Sequence, residues 1–428
     1  MSDRMARHKT LAIIICLQIF SGCTSPKALH DVEEKLFVEG NDIQIWHTFA
    51  SGSVEERTFL DSIELFQNLH PEYNIEVTMV PFGNAEQLFM TAAQGGEAPD
   101  LIRLSNDHLG KLGDVKIDGY PLLEDLRIHL SPVQMSVFDN RSIEAMRYDG
   151  ALYGLPSSQD CLSLIWNRAL FSANGESEPN ENWTTSDLLN AAMNLTYGEV
   201  QGLALPIKVE YWWFPFQTGF GGSLFDKQGL PTLDSNGSAE SMSWMINLEK
   251  EHGVVAVGTQ RDSMKTQFQE GKAAMIIDGP WNWVTYETSR IDSGQTLLPT
   301  VDSTGLRMSP LVTYKGWSVS KQSTSKVASI ELALFLSSSD VQKKFALDTY
   351  TMPTAISLVN DSDISSSPVI RGFLSQVELG TPAPTTKGMS LIYGPLSTAF
   401  EQVYSGVSDS QVALEAANAE LEELMRVE

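Results

Sequence analysis

The side chains of this chain with most to offer a ligand are aromatic planes set just beyond a strand. In the segment Phe268 to Trp283, Gly271 ends a helix, Ala273 to Ile277 is an apolar run of strand length, and Asp278-Gly279-Pro280 supplies a tight turn before Trp281. That order predicts Trp281 at the start of a helix, past the end of a strand, where open α/β sheets receive ligands. A purely structural role also fits, because Trp281 and Trp283 are large apolar groups that suit a core equally well.

Covalent chemistry finds less support. A glycosidase needs two carboxylates at a defined separation, one with a raised pKa, and acids are too plentiful here for their presence to decide anything. The sequence contains no Gly-x-Ser-x-Gly elbow, no His-Glu-x-x-His and no Gly-x-x-x-x-Gly-Lys-Ser/Thr loop. Its seven histidines are scattered without metal-ligand spacing. No catalytic residue, cofactor or metal is expected.

Positioning Trp281 requires a sheet, and the chain spells one out. Asp42 to Trp46 alternates apolar and polar residues as a first strand. Ser53 and Glu56 form a capping-box pattern for a helix carrying Phe59, Ile63 and Phe66 and stopping before Pro71. Ile75, Val77 and Met79 mark a second strand, Asn84 and Gln87 a second capped helix ended by Gly95-Gly96, and Asp100 to Leu104 a third strand. This β-α-β-α-β order predicts a largely parallel sheet covered by helices. The grammar recurs: strands at Ala151 to Pro156, Leu162 to Trp166 and Leu203 to Ile207, helices at Thr185 to Asn194 and Ala239 to His252, and a Ser-rich loop at Ser362 to Ser367. At 428 residues the length favours more than one domain.

The N-terminus predicts the compartment. Arg4, Arg7 and Lys9 precede the apolar run Leu11 to Phe20, which is too short to span a bilayer, and Ser21-Gly22-Cys23 follows. This is similar to a bacterial lipobox, which implies cleavage after residue 22 and acylation of Cys23. Phe20 departs from the usual leucine of that motif, and a plain secretory signal is the alternative. Residues 24–40 read as a tether. Of three cysteines only Cys161 remains in the folded body, so no disulfide is available. Removing residues 1–22 takes away three basic side chains and one acidic, moving the formal net charge from −25 to about −27. Such a surface repels polyanions, which excludes nucleic acid as a partner.

Five segments together resemble the bacterial extracellular solute-binding proteins of the maltose-binding type. They are Ala98-Pro99-Asp100 with Asn106-Asp107-His108; Met146 to Pro156 followed by Asp160 to Asn167; Glu210 to Phe216 before Gly221-Gly222; the Gly279-Pro280-Trp281 element; and Met389 to Tyr393. The resemblance implies an α/β, two-lobed periplasmic-binding-protein type II fold with a cleft between lobes and several hinge crossovers. It implies that Trp281, Tyr211 and Tyr393 stack on sugar rings and that Asp107 and Asp160 accept sugar hydroxyls, with Trp46 and His47 completing the set. Physical chemistry suits these types, since a sugar is an amphipathic disc with C–H faces for aromatic planes and hydroxyl edges for carboxylates. On local sequence alone Asp107 could instead cap a helix, Asp160 could sit in a surface turn, and the cluster around Tyr211 could be core.

The resemblance further implies lobe one at residues 41–159 and 317–362, lobe two at 162–310 and 363–428, and hinges near 158–161, 311–316 and 361–363. The expected function is the substrate-binding component of an ABC importer, a monomer that passes a saccharide to the transmembrane permease subunits. Two departures bear on the ligand: His47-Thr48-Phe49-Ala50-Ser51 stands where the family has an Asp-Lys pair, and Leu104 where it has a stacking tryptophan. Arg103, His108 and Lys111 keep a phosphorylated polyol such as glycerol phosphate as an alternative, although no arginine fork or Gly-rich helix start is evident. An extracellular carbohydrate-active enzyme and an adhesion protein are the competing classes.

Overall fold

The computed structural model describes residues 40–427. The signal segment, Cys23 and all of the tether except Gly40 lie outside the described residues. Ten strands matter here: β1 (Asp42–His47), β2 (Asn74–Met79), β3 (Leu101–Ser105), β4 (Leu155–Asp160), β5 (Ser163–Asn167), β6 (Gln201–Ala204), β7 (Ala273–Asp278), β8 (Ser293–Thr296), β9 (Leu311–Val319) and β10 (Thr381–Pro382).

The strands form two main sheets. The first runs β10-β9-β3-β1-β2, with β4 also on β9; the second runs β6-β7-β5-β8. Each has its own apolar core. One gathers Ile43, Phe59, Phe89, Leu104, Cys161, Val312 and Trp317. The other gathers Leu162, Trp213, Phe268, Ile277, Leu311 and Phe400. The cores part between adjacent residues: Cys161 belongs to one and Leu162 to the other, and so do Val312 and Leu311. Where β4 gives way to β5, and at the start of β9, the chain therefore passes directly from one sheet to the other.

That passage explains why the sheets are mixed rather than largely parallel. β1 is parallel to β2 and β3, as helical crossovers demand, but β9 is antiparallel to β3 and β4, and β5 is antiparallel to β7 and β8. A strand entering a sheet without a crossover helix is not held to the parallel direction.

Local sequence signals hold at some element ends and not at others. Ser53 does cap the helix Val54–Leu69, accepting from the Glu56 N–H at 3.1 Å, but the Glu56 carboxylate reaches the Gly52 N–H at 2.6 Å, so the box is not reciprocal. Asn84 makes no capping bond; it closes the 3₁₀ turn Phe82–Asn84, whose helical backbone already leads into the helix Ala85–Gly95. Gly96 ends that helix at φ 76°, a left-handed conformation that glycine adopts freely. The strand expected over Ala151 to Pro156 is instead the short Ala151–Leu152 and the later β4, and that over Leu203 to Ile207 lies earlier, as β6. Ser362–Ser366 is a short helix rather than a loop, because the Asp361 carboxylate accepts from the N–H groups of Asp363 and Ile364.

Candidate functional site

The turn after β7 is built around Asp278. This fully buried carboxylate accepts from the Asn282 side-chain amide at 2.9 Å and from the Tyr286 hydroxyl, both supplied by the residues after the turn. Burial pushes its pKa up, and those bonds oppose the rise. Pro280–Asn282 is a 3₁₀ turn and the helix Trp283–Thr288 begins only afterwards, so Trp281 precedes the helix rather than opening it. The indole lies across Gly279: a Cβ there would fall 2.1 Å from its nearest ring atom. Only glycine leaves room for that ring. The two tryptophans then divide their roles. Trp283 is buried against Phe373 and Tyr350, whereas Trp281 is half-buried with its indole N–H unpartnered.

Tyr211 stands 6.5 Å from Trp281, ring centre to ring centre, at an interplanar angle of 55°. It comes from the first turn of the helix Glu210–Gly219, whose next three residues are core: the Trp212 indole donates to the Ile277 carbonyl at 2.7 Å and that of Trp213 to the Ser241 hydroxyl at 2.8 Å. The Tyr211 hydroxyl lies against Thr313 without completing a hydrogen bond, and burial, reinforced by Asp160, holds its pKa well above the usual phenol value. Tyr393, at the start of the helix Tyr393–Tyr404, packs 6.3 Å from Phe214 and points its hydroxyl at Asp107 at 3.5 Å. Burial and then the Asp107 charge raise its pKa in the same sense.

Asp107 is buried in the 3₁₀ turn Asn106–His108 after β3 and makes no capping bond; one carboxylate oxygen faces Tyr393 and the other has no partner. Asn106 fixes this turn by donating to the Ala383 carbonyl at 2.8 Å and accepting from the Tyr314 N–H at 2.9 Å. Asp160 is in no surface turn. It ends β4, buried, where Lys315 donates to both its oxygens at 2.5 Å and the Thr313 hydroxyl to one at 2.7 Å.

Close to that ion pair lie Arg103 on β3 and Glu55 in the first turn of the helix Val54–Leu69. Burial raises the Glu55 pKa and lowers that of Arg103, while each charge stabilises the other. His47 ends β1, wedged between Phe59 at 4.8 Å and Phe49 at 5.8 Å, and burial lowers its pKa. Trp46 packs against the first core, and no ring contact or hydrogen bond among the described residues joins it to the other candidates. Leu104 is core, Lys111 pairs with Glu86 at 3.4 Å, and His108 stands 6.0 Å from Phe82. Arg103, His108 and Lys111 thus each meet a different neighbour.

The structure therefore brings together Trp281 with Tyr211, Tyr393 with Asp107, and Asp160 beside Tyr211, where the ends of the two sheets approach. His47 meets Phe49, Phe59 and Glu56 and Trp46 meets the first core, and neither makes a ring contact or hydrogen bond with those residues. Sequence reasoning missed Lys315, Thr313 and Glu55. A lysine inside the apolar strand Leu311–Val319 was the available signal for the first. Burial raises the Cys161 pKa strongly, which leaves an inert thiol rather than a nucleophile. Among the described residues no cluster of His, Cys, Asp or Glu is placed to hold a metal ion. Such a set can stack on ring faces and exchange hydrogen bonds with hydroxyls.

Comparison with known proteins agrees in architecture. The galactooligosaccharide-binding protein of Bacillus subtilis is 25% identical over 389 residues, covering 89% of this chain and 88% of that protein. A maltooligosaccharide ABC transporter solute-binding lipoprotein of Streptococcus pneumoniae serotype 4 is 23% identical over 349 residues, 78% of each. The maltose/maltodextrin-binding domain of Bdellovibrio bacteriovorus, solved with maltotriose, superposes with a TM-score of 0.82 at 23% identity, covering 90% of this chain and all of that one. The two-sheet arrangement is that of the maltose-binding type of periplasmic binding protein. With residues 63–371 matching the family described as bacterial extracellular solute-binding protein, the chain belongs to that family.

Proposed function

We propose that this protein is the substrate-binding component of an ABC importer and captures a neutral oligosaccharide between its two sheets. The observation that carries the reading is the half-buried Tyr211 and Trp281 pair with buried Asp160 beside Tyr211, and Tyr393 with its hydroxyl at buried Asp107: apolar planes and hydroxyl acceptors next to one another. Each type matches one surface of a sugar ring. The lobes of this reading are residues 41–159 with 317–362 and 162–310 with 363–428, hinged near 158–161, 311–316 and 361–363. A ligand touching both lobes favours their closed arrangement by the contacts it gains there. The closed form would then dock on the permease, and the transporter's ATPase supplies the energy.

Anchoring through an acylated Cys23 belongs to the same proposal, supported by the lipobox-like Ser21-Gly22-Cys23 and by the lipoprotein among the relatives. The working unit is a monomer.

Titrating maltotriose and galactotriose into the purified protein, with melting curves in parallel, tests the reading. A ligand at 100 times its Kd should add about 2.7 kcal/mol of stability. Trp281→Ala should weaken binding by about 2–4 kcal/mol, the range for a buried aromatic anchor. Normal affinity in that variant, with a large fall in melting temperature, would return Trp281 to the core.

A further inference from the structure

Beside Asp107 and Tyr393 a short helix, Lys387–Leu391, lies between the two cores. Its Met389, with Ile392 just beyond, belongs to the second core, and a Cβ on its Gly388 would fall 2.8 Å from both Phe225 and Met425. The other side of the segment rests on the helix Leu109–Asp114, whose Leu109 and Leu112 belong to the first core. The contact point there is the buried Gly110. A Cβ on it would stand 2.4 Å from the Thr385 carbonyl oxygen and 2.4 Å from the Thr386 carbonyl carbon. These neighbours are backbone, so no side chain can swing aside to make room. The φ of Gly110 is not left-handed, so glycine serves this position by its lack of a side chain rather than by its backbone freedom.

Polar contacts reinforce the approach. The Ser390 hydroxyl lies 2.9 Å from the Glu86 carboxylate and 3.0 Å from the Asp107 carbonyl, within donating reach of both. Glu86 also pairs with Lys111 of the Leu109–Asp114 helix, and Lys387 pairs with Asp114, each at 3.4 Å. Partly exposed ion pairs contribute little, so the close packing at Gly110 and the Ser390 bond are the contacts that decide. Ser390 thus reaches the backbone of Asp107 and stands three residues before Tyr393, linking an acid that follows the first sheet to a ring packed on the second core.

We propose that Gly110 and Ser390 are positioning residues: they clasp Lys387–Leu391 onto Leu109–Asp114, which sets Tyr393 against Asp107 and holds the cleft closed, without touching the ligand themselves. The clasp joins one core to the other, so its contacts belong to the closed arrangement, and losing them lowers the fraction of molecules competent to bind. This rests on the saccharide reading for the ligand and adds that part of the closing energy comes from the protein alone.

The test combines calorimetric titration with maltotriose and galactotriose, melting curves and small-angle X-ray scattering of the purified protein. Gly110→Ala should bind the better of the two sugars about 10- to 100-fold more weakly, as the competent fraction falls by that factor. Its helix should not suffer, because alanine is the better helix former. Ser390→Ala should lose about 3- to 10-fold, the worth of one hydrogen bond, and Ser390→Thr, which keeps the hydroxyl, should recover most of it. At saturating sugar Gly110→Ala should keep a larger radius of gyration than wild type, a difference that a purely structural role would not produce. Wild-type affinity and radius in Gly110→Ala, with Trp281→Ala impaired, overturn this inference and leave the saccharide reading standing. A lower melting temperature in Ser390→Ala with unchanged affinity per folded molecule overturns it too, by reducing the contact to a stabilising one. If Gly110→Ala does not fold, the two Ser390 variants carry the test. Failure of wild type to bind either sugar removes the saccharide reading. The clasp then rests on unliganded scattering, where Gly110→Ala should enlarge the radius and an unchanged radius overturns it.

Discussion

Replacing Gly279 by alanine should lower saccharide affinity about 10- to 50-fold, near 1.4–2.3 kcal/mol, while leaving the fold intact. An alanine Cβ would stand 2.1, 2.2 and 2.4 Å from three carbons of the Trp281 ring, distances no real contact sustains. Something must move, and the backbone need not, because φ −102° and ψ 176° are extended values that alanine adopts without strain. The ring is half-buried and swings away instead, losing part of the roughly 2–4 kcal/mol that a buried aromatic anchor supplies. For stability two small effects oppose each other. Fewer unfolded conformations add about 0.4–1 kcal/mol, and crowding subtracts about 1–3 kcal/mol wherever the ring cannot fully escape. Calorimetry on Gly279→Ala beside a melting curve reads both quantities, and Trp281 fluorescence should change even without ligand. Unchanged affinity would refute the argument, because the one side chain displaced would then have no part in binding. A fall in stability well beyond 3 kcal/mol would refute it from the other side, by showing the ring locked into the core.

Asp107→Ala should weaken binding about 10- to 100-fold by removing an acceptor of charge-assisted hydrogen bonds, with little change in apo melting temperature, since its carboxylate has only the long contact to Tyr393. Asp160→Ala should differ by losing stability as well, about 3–5 kcal/mol, because buried Lys315 is left without its carboxylate; a melting curve like that of Asp107→Ala would contradict the geometry. Asp302 has its pKa lowered from 3.8 to about 2, chiefly by the Thr185 hydroxyl, so its contribution is full above the unfolded value and is lost as pH falls toward 2. Between pH 4 and 2 the melting temperature of wild type should therefore fall more steeply than that of Asp302→Asn, by a small margin because Asp302 is exposed; parallel slopes would remove this role. Cys23→Ser should release the protein from the membrane fraction, and an unmodified mature N-terminus beyond Cys23 in mass spectrometry would dispose of the anchor.

What the sequence disclosed was whatever is local. Gly271, Asp278 and Gly279-Pro280 punctuate a strand and its turn with residues whose backbone preferences act at short range, and the structure keeps that order with the helix starting two residues later than expected. The helix at Thr185–Asn194 is likewise written in its own Thr184 cap and apolar spacing. The direction of β9 was illegible for the opposite reason. It depends on a chain that crosses between sheets without a helix, and nothing within Leu311 to Val319 says which neighbour it will meet.

The same distinction accounts for what was missed in the candidate site. Aromatic planes announce themselves singly, because a tryptophan after a strand is unusual wherever it occurs. A charge pair does not, since Lys315 and Asp160 are 155 residues apart and become partners only through the β4 and β9 register that sets Thr313 opposite Asp160. A slip of one residue would send Lys315 to the other face and leave Asp160 buried without a counter-charge, a state costing several kcal/mol. The pair therefore also helps to fix the register of the strands that join the two sheets. Any change that weakens it should disturb the passage between the sheets and the ligand side of the cleft together.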